Sequence, residues 1–394
     1  MKVLAIDDQL LVLLPLEKRL SELGYDVKIE TSAKNSISAF TEFRPDLVIV
    51  DINMPQVSGL EIIKHIKESG SKTAIMVLSG NTSDTIIEEA FELGIDDYMK
   101  KPLSLNEVCV RVKKLIGLPV DVTETSSKAA NVLIQQRCVG VVIPCYNEEE
   151  RLLSKEFIDF IDSNSGYHLC FVNDGSKDNT LQVLKDLQKG RENYITVYDC
   201  EKNGGKAEAV RLGMLHMSKK EDLDYIGFLD ADLSTDLSDF DDLVSTIENS
   251  EYDIVSGSRI SRMGADITKE SARKIISLTI NFIIRKILSM DFKDTQCGAK
   301  IFKKDAIELA FNKPFVTKWL FDVEIFMRMR NHFGLNEAKK RLCEKPLKRW
   351  IHADGSKLSM KDSLKIGFQL THIAFKYRIN FNGTTTNVAQ IKTA

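Results

Sequence analysis

The chain has 394 residues, 43% of them apolar and 28% charged, with a formal net charge of −3. That length holds two or three domains, and the composition is ordinary for globular protein. The charge balance excludes a general nucleic-acid binder. No apolar run approaches the roughly 20 residues that cross a bilayer, and the seven cysteines lack disulfide or metal-ligand spacing. The opening MKVLAIDD enters a strand pattern at once and lacks a signal-peptide layout, so a cytoplasmic protein with reduced thiols is expected.

Residues 1–118 alternate short apolar runs with amphipathic stretches. Strands are predicted at Val3–Ile6, Val27–Glu30, Leu47–Val50, Ala74–Leu78 and Asp97–Met99, with helical patterns such as Glu61–Ile66 between them. A βα alternation of this kind implies a parallel sheet covered on both faces. Asp7 and Asp8 end the first strand, Asp51 ends the third, Ser79 follows the fourth, and Lys101-Pro102 follows the fifth. Such tips converge in a doubly wound sheet. Three carboxylates suit an oxygen-liking ion such as Mg²⁺, while a hydroxyl and an ammonium suit phosphoryl oxygens. Any one of these residues alone reads as a cap or turn residue. Together, in this order, they read as a pocket.

From 119 to 137 the chain is polar, rich in Ser and Thr, and without an apolar period. It reads as a linker that, if flexible, spans on the order of 25 Å. A second alternation starts at Val139, with strands predicted at Val139–Ile143, Leu169–Val172, Ile195–Tyr198, Tyr225–Leu229 and Ile254–Ser256. Most of the loops after these strands are rich in Gly, Asp and Asn. Long helices are predicted over Lys274–Met290 and Met360–Tyr377, and residues 381–394 read as a disordered tail.

Asp230-Ala231-Asp232 closes the apolar run Tyr225–Leu229. Two carboxylates one residue apart at a strand tip point the same way, and a divalent cation offsets the cost of keeping them together. Pro144-Cys145-Tyr146-Asn147-Glu148 supplies a fixed turn, a flat face at Tyr146 and an acceptor at Glu148 for a base or ribose. Asp174, in Asn173-Asp174-Gly175-Ser176, is a further acceptor for a base. Asn203-Gly204-Gly205-Lys206 lets backbone approach a ligand and sets Lys206 against phosphate charge.

The stretch 1–118, with IDD, DINMPQVSGLEII, LSG and DDYMKKP, resembles the receiver domain of bacterial response regulators, a flavodoxin-like (βα)5 fold. The resemblance implies Asp51 as phospho-acceptor, Asp7 and Asp8 with Asp51 as the Mg²⁺ site, Ser79 as switch hydroxyl, Lys101 as the phosphate-contacting lysine and Tyr98 as the aromatic switch. It also implies a cis Lys101-Pro102 bond and a histidine kinase or phosphotransfer protein as partner. Receivers commonly dimerise, so a homodimer is open, and some serve only as dimerisation modules.

From Val139 to Tyr377, VVIPCYNEEERL, VNDGSKDNT, KNGGKAEAVRLGM, FLDADLSTD and VSGSR resemble family 2 glycosyltransferases of the GT-A fold, a Rossmann-like mixed sheet. DTQCGAKIF, WLFDVEIFMR and GSKLSMKDSLKI are similar to the polyprenyl-phosphate type, the glucosyl branch above the mannosyl one. The resemblance implies Asp230 at the nucleotide and the ion, and Asp232 on Mg²⁺ or Mn²⁺ at the diphosphate. It sets Arg259 against phosphate and Asp294 as the carboxylate facing the acceptor, either a base or a positioning group. Ser234 stands where mannosyl relatives often carry a glutamine ligand, which leaves the third protein ligand open.

The implied activity is inverting transfer of a hexose, glucose first, from UDP-glucose or GDP-mannose to a polyprenyl phosphate, modulated through Asp51. Transfer to a glycan hydroxyl, or a signalling scaffold that only binds nucleotide sugar, are the alternatives. Two stretches suit peripheral contact with the inner face of the plasma membrane. RKIISLTINFIIRKIL carries Arg273, Lys274, Arg285 and Lys286, and LKIGFQLTHIAFKYRINF carries Lys365, Lys376 and Arg378.

Overall fold

The structure, a computed structural model, describes residues 1–80, 83–119, 133–134, 137–259, 271–348 and 360–377. Most of the linker expected at 119–137, all of the tail expected at 381–394, Arg378, and the side chains of Arg273, Lys274 and Lys365 lie outside the described residues. The chain packs as two compact units. One is Met1–Val139 with Ser154–His168 and Glu221–Asp224, and the other is Gly140–Leu153, Leu169–Lys220 and Tyr225–Ala394.

The N-terminal elements are β1 (Lys2–Ile6), α1 (Leu10–Glu22), β2 (Asp26–Glu30), α2 (Ala33–Phe43), β3 (Leu47–Val50), α3 (Gly59–Glu68), β4 (Ala74–Ser79), α4 (Asp84–Glu92), β5 (Asp97–Lys100), β6 (Leu103–Ser104), α5 (Leu105–Ile116) and β7 (Leu133–Ile134). The first five strands form one parallel sheet in the order β2-β1-β3-β4-β5. Val3 lies opposite Val27 on one side and Leu47 on the other. Every side chain of Leu47-Val48-Ile49-Val50 is buried, as a strand covered on both faces requires. Strand order reverses between β1 and β3, so their following loops open into one crevice. The helices obey local rules. Ser58 caps α3 by accepting from the Leu60 amide, and Ile62, Ile63 and Ile66 form its buried stripe. The pair β6 and β7 is a short antiparallel ladder.

From Val139 the elements are β8 (Val139–Cys145), α6 (Ser154–Ser163), β9 (Tyr167–Asn173), α7 (Thr180–Gln188), β10 (Ile195–Asp199), α8 (Lys206–Met217), β11 (Tyr225–Leu229), α9 (Leu237–Glu248), β12 (Ile254–Ser258), α10 (Ser271–Leu288), β13 (Ala299–Lys303), α11 (Lys304–Phe311), α12 (Phe321–Phe333), α13 (Leu335–Arg341), β14 (Leu342–Pro346) and α14 (Met360–Lys376). They build a seven-stranded mixed sheet in the order β10-β9-β8-β11-β13-β12-β14. β13 runs antiparallel to both β11 and β12, with Leu229 opposite Ala299 and Ile254 opposite Phe302. The expected α/β architecture is present, and so are all ten expected strands.

Four further strands were not expected from the sequence: the short pair β6 and β7, and β13 and β14 of the larger sheet. Ala299-Lys300-Ile301-Phe302-Lys303 has a lysine where a central strand ordinarily has an apolar residue. Lys300 is nonetheless fully buried, because Asp322 of α12 takes its ammonium at 2.6 Å. Leu342-Cys343-Glu344-Lys345-Pro346 is a sheet edge, where charge and proline are tolerated.

Candidate phospho-acceptor pocket and active site

At the tips of the first sheet, carboxylate oxygens of Asp7, Asp8 and Asp51 lie within 4.8 Å of one another. Lys101, buried in the same pocket, donates to Asp7 Oδ2 at 2.5 Å and to Asp51 Oδ2 at 2.8 Å. Burial opposes the lysine's charge, but the two aspartates outweigh it and raise its pKa. Burial, reinforced by Asp7 and Asp51, pushes the Asp8 carboxyl up to about 6. The Asn53 amide donates to Asp51 Oδ1 at 3.0 Å, and its side chain reaches Ser79 Oγ at 3.4 Å. Tyr98 is half-buried and hydrogen-bonds Ser79, and burial raises its hydroxyl pKa. The Lys101-Pro102 bond is cis. All six residues singled out for this pocket therefore meet there, and the acidic cluster is consistent with a Mg²⁺ site.

Gly59, which sequence reasoning passed over, starts α3 directly against the backbone at the end of β3. A Cβ at Gly59 would overlap the Asp51 carbonyl oxygen. The signal was available in DINMPQVSGLEII, where a glycine opens an apolar helix.

In the second sheet, the loops after β8, β9 and β11 and the start of α8 enclose a cleft of about 310 Å³. Its lining includes Pro144, Tyr146, Glu148, Asp174, Lys206, Asp230 and Asp232. The β8 and β9 loops clasp each other. Asn147 Oδ1 accepts from the Lys177 amide at 2.9 Å, and Thr180 Oγ1 accepts from the Glu148 amide at 2.8 Å. Burial pushes the Glu148 carboxyl up, Arg151 opposes that at 2.9 Å, and the charge of Asp232 adds to the rise.

Asp174, expected as a base acceptor, also holds the glycine turn at the edge of the cleft. Its two oxygens accept from the Gly204 amide at 2.7 Å and the Gly205 amide at 2.9 Å, so it shapes the glycine turn. Gly205 has φ 86°, a left-handed value suited to glycine, and α8 begins at the next residue. Lys206, the first residue of that helix, forms an ion pair with Asp230. Asp232 is exposed, and its Oδ1 accepts from the Ser234 amide at 3.0 Å across Leu233, whose φ is 48°.

Arg259 and Asp294 form a two-pronged pair. Arg259 Nε donates to Asp294 Oδ2 at 2.7 Å, its terminal nitrogen to Oδ1 at 2.8 Å, and its backbone amide to Oδ2 at 2.9 Å. Burial alone would raise the Asp294 carboxyl, but the guanidinium and its hydrogen bonds hold it below the ordinary aspartate range. Glu344 of β14 fixes the same turn by accepting from the Asp294 amide at 2.6 Å and the Lys293 amide at 2.8 Å.

Residues 3–113 match the response regulator receiver domain and residues 140–310 match glycosyl transferase family 2. Dolichyl-phosphate beta-glucosyltransferase ALG5D of Trichomonas vaginalis is 31% identical over 255 residues, which span 61% of this chain and 74% of that protein. The chain belongs to glycosyl transferase family 2. The dolichyl-phosphate beta-glucosyltransferase of Saccharomyces cerevisiae is also 31% identical, over 61% of this chain and 75% of its own length. Response regulator MprA of Mycobacterium leprae is 31% identical over 116 residues, 29% of this chain and 51% of MprA. The protein is thus a family 2 glycosyltransferase, related to dolichyl-phosphate glucosyltransferases, fused to an N-terminal receiver domain.

Three residues of this glycosyltransferase carry structural weight that the sequence did not flag. Gly298 accepts from the Asp230 amide on its carbonyl oxygen at 3.2 Å and lies directly against the Asp230 carboxylate. Lys300 and Asp322 form a buried ion pair behind the cleft, with Lys300 also donating to the Cys297 carbonyl at 2.7 Å. Burial raises the Asp322 carboxyl, against the pull of Lys300. Gly298 and Lys300 sit in DTQCGAKIF and Asp322 in WLFDVEIFMR. Those motifs were noticed, but pairing residues so far apart needs the fold.

Proposed function

We propose that the protein transfers a hexose, glucose first among candidates, from a nucleoside-diphosphate sugar to a polyprenyl phosphate at a membrane surface. The observation that carries this reading is the Asp230-Ala231-Asp232 turn at the tip of β11, opening into a cleft that Lys206 also lines. Two hard oxygen donors, completed by diphosphate and water oxygens, fit Mg²⁺ or Mn²⁺. When bound, such an ion offsets the diphosphate charge and favours its departure. Lys206 lies close enough to share that charge. Tyr146 and Glu148 line the same cleft, and we assign them to base and ribose.

An acceptor phosphate oxygen attacks the anomeric carbon from the face opposite the diphosphate. The new C–O bond forms as the bond to the diphosphate breaks, the electron pair leaves with the diphosphate, and the configuration inverts. A phosphate monoester is already anionic at neutral pH and needs no proton removed. Asp294 suits that acceptor. It is held ionised by Arg259 and is a weak base, so we assign it to positioning, and Arg259 to the acceptor phosphate side. A glycan hydroxyl would call for a stronger base.

Membrane contact is supported by α10 and α14. A groove of about 380 Å³ lies between them, lined by Ile283, Ile287, Leu370 and Phe375. Phe282, Phe368 and Phe375 are 59%, 76% and 86% exposed. The Lys286 ammonium sits 5.7 Å from the Phe282 ring centroid, a cation beside an exposed aromatic as an anionic interface favours. The opposite faces pack inward through Ile284, Leu288, Ile366 and Ile373. Among the described residues no helix is long and apolar enough to cross a membrane.

The receiver domain brings a phosphodonor partner, a histidine kinase or phosphotransfer protein, with Asp51 as acceptor. Its phosphorylation shifts the receiver between two surfaces and modulates transfer. The test of the whole reading is a panel of nucleotide sugars incubated with the protein and membrane extract. A hexosyl polyprenyl phosphate in the lipid fraction, seen by mass spectrometry, is the expected product. Sugar transferred only to water-soluble glycan would contradict it.

A further inference from the structure

The cations described so far in the second site are each held by a carboxylate: Arg151 by Glu148, Lys206 by Asp230, and Arg259 by Asp294. Lys318 differs. It is exposed, and among the described residues no carboxylate lies within ion-pair distance of it. Its stem lies across the glycine turn, since a Cβ on Gly205 would stand 3.8 Å from Lys318 Cδ. Its charge also reaches Asp174, where it lowers a carboxyl that burial raises.

An exposed lysine is ordinarily a solvated one. The backbone that presents Lys318, however, is anchored from beneath. Glu324 is fully buried on α12, and its carboxylate accepts from the Val316 amide at 3.0 Å, the Thr317 amide at 2.8 Å and Thr317 Oγ1 at 2.9 Å. Tyr377 at the end of α14 donates to the same carboxylate at 3.3 Å. The Arg328 guanidinium covers the Phe315 ring at 4.4 Å. Burying a carboxylate is costly unless its lone pairs are used, and here they fix the residues immediately before Lys318. An ammonium with no ion-pair partner among the described residues is thereby held beside a glycine turn that leads straight into Lys206.

We infer that Lys318 contacts a phosphate group in the transfer site. This rests on the nucleotide-sugar reading of the cleft. The phosphate belongs either to the donor diphosphate or to the acceptor monoester, and two arms of one experiment separate them. Full-length protein is titrated calorimetrically with UDP and with GDP in the presence of Mn²⁺, and KM is measured for a polyprenyl phosphate.

A donor contact makes Lys318→Met weaken diphosphate binding about tenfold, the scale of one charge-assisted contact. An acceptor contact raises KM for the polyprenyl phosphate by a similar factor and leaves diphosphate binding intact. Lys318→Arg retains most of the affinity in either case. Unchanged values in both arms, in a variant with wild-type circular dichroism, overturn the inference. Asp232→Asn in the same titration tells the two failures apart. If it alone loses ion-dependent affinity, only the Lys318 assignment falls. If wild-type protein binds neither diphosphate, the underlying reading falls with it.

Discussion

Gly298 lies so close to Asp230 that a Cβ on the glycine would overlap the aspartate's Oδ2 and Cγ. The contact joins the start of β13 to the tip of β11 and packs the glycine against the Asp230 carboxylate. Gly298→Ala is therefore expected to displace that carboxylate while the fold persists. A misplacement of this kind costs on the order of a hundredfold in a site built on geometry. Ion-dependent affinity for a nucleoside diphosphate, measured by calorimetry, should fall accordingly. Unchanged affinity in the alanine variant would show that Asp230 need not sit where it does.

Asp294 yields a pH prediction with a definite sign. Its folded pKa lies below the ordinary aspartate value, because Arg259 outweighs burial. The stabilisation from the pair is then fully present above the unfolded value of about 3.9 and is lost as pH falls through the lower folded value. Wild-type protein and Asp294→Asn should differ in Tm near neutral pH and converge below about pH 4. Thermal melts across that range check this. A gap that widens in acid would contradict the pairing. The transfer rate should also lack a limb from Asp294 between about pH 5 and 8.

Lys300 and Asp322 are an ion pair in the protein interior, at 0% and 7% side-chain exposure. Removing one partner leaves the other charge buried and uncompensated, which costs about 3–5 kcal/mol. Lys300→Met should lose stability on that scale in chemical denaturation. Lys300→Met with Asp322→Leu should recover a large part of it, because an apolar pair replaces a charged one. Additive losses in the double variant would refute the pairing as the cause.

The proposed control by the receiver turns on Asp51, held with Asp7 by Lys101. Transfer rates of wild-type protein should change on addition of acetyl phosphate with Mg²⁺, and those of Asp51→Ala should not. Equal rates in all four conditions would leave the receiver without influence on catalysis.

The parallel alternation and the polar strand tips were legible because each is a local pattern. Apolar runs of four or five residues end in Asp, Asn or Gly, and that places Asp7, Asp51, Asp174 and Asp230 without any knowledge of packing. β13 was not legible, because Lys300 breaks its apolar run and only Asp322, far along the chain, makes that lysine tolerable. Asp174 was legible as a cleft acceptor, but its part in the glycine turn was not. Its carboxylate oxygens are taken by the glycine amides of a loop some thirty residues on, which a linear reading does not bring together. The Arg259 fork on Asp294 was hidden for the same reason. Each residue alone resembles a surface charge, and only the turn held by Glu344 brings them face to face.

The most direct test neutralises Asp232 and follows the chemistry itself. Wild-type protein and Asp232→Asn, matched for folding by circular dichroism, are given nucleotide sugar, Mn²⁺ or Mg²⁺, and polyprenyl phosphate. The expected result is ion-dependent formation of a hexosyl lipid by the wild type and a loss on the order of a hundredfold or more in the variant. Full ion-dependent transfer by Asp232→Asn would contradict the assignment of the active site.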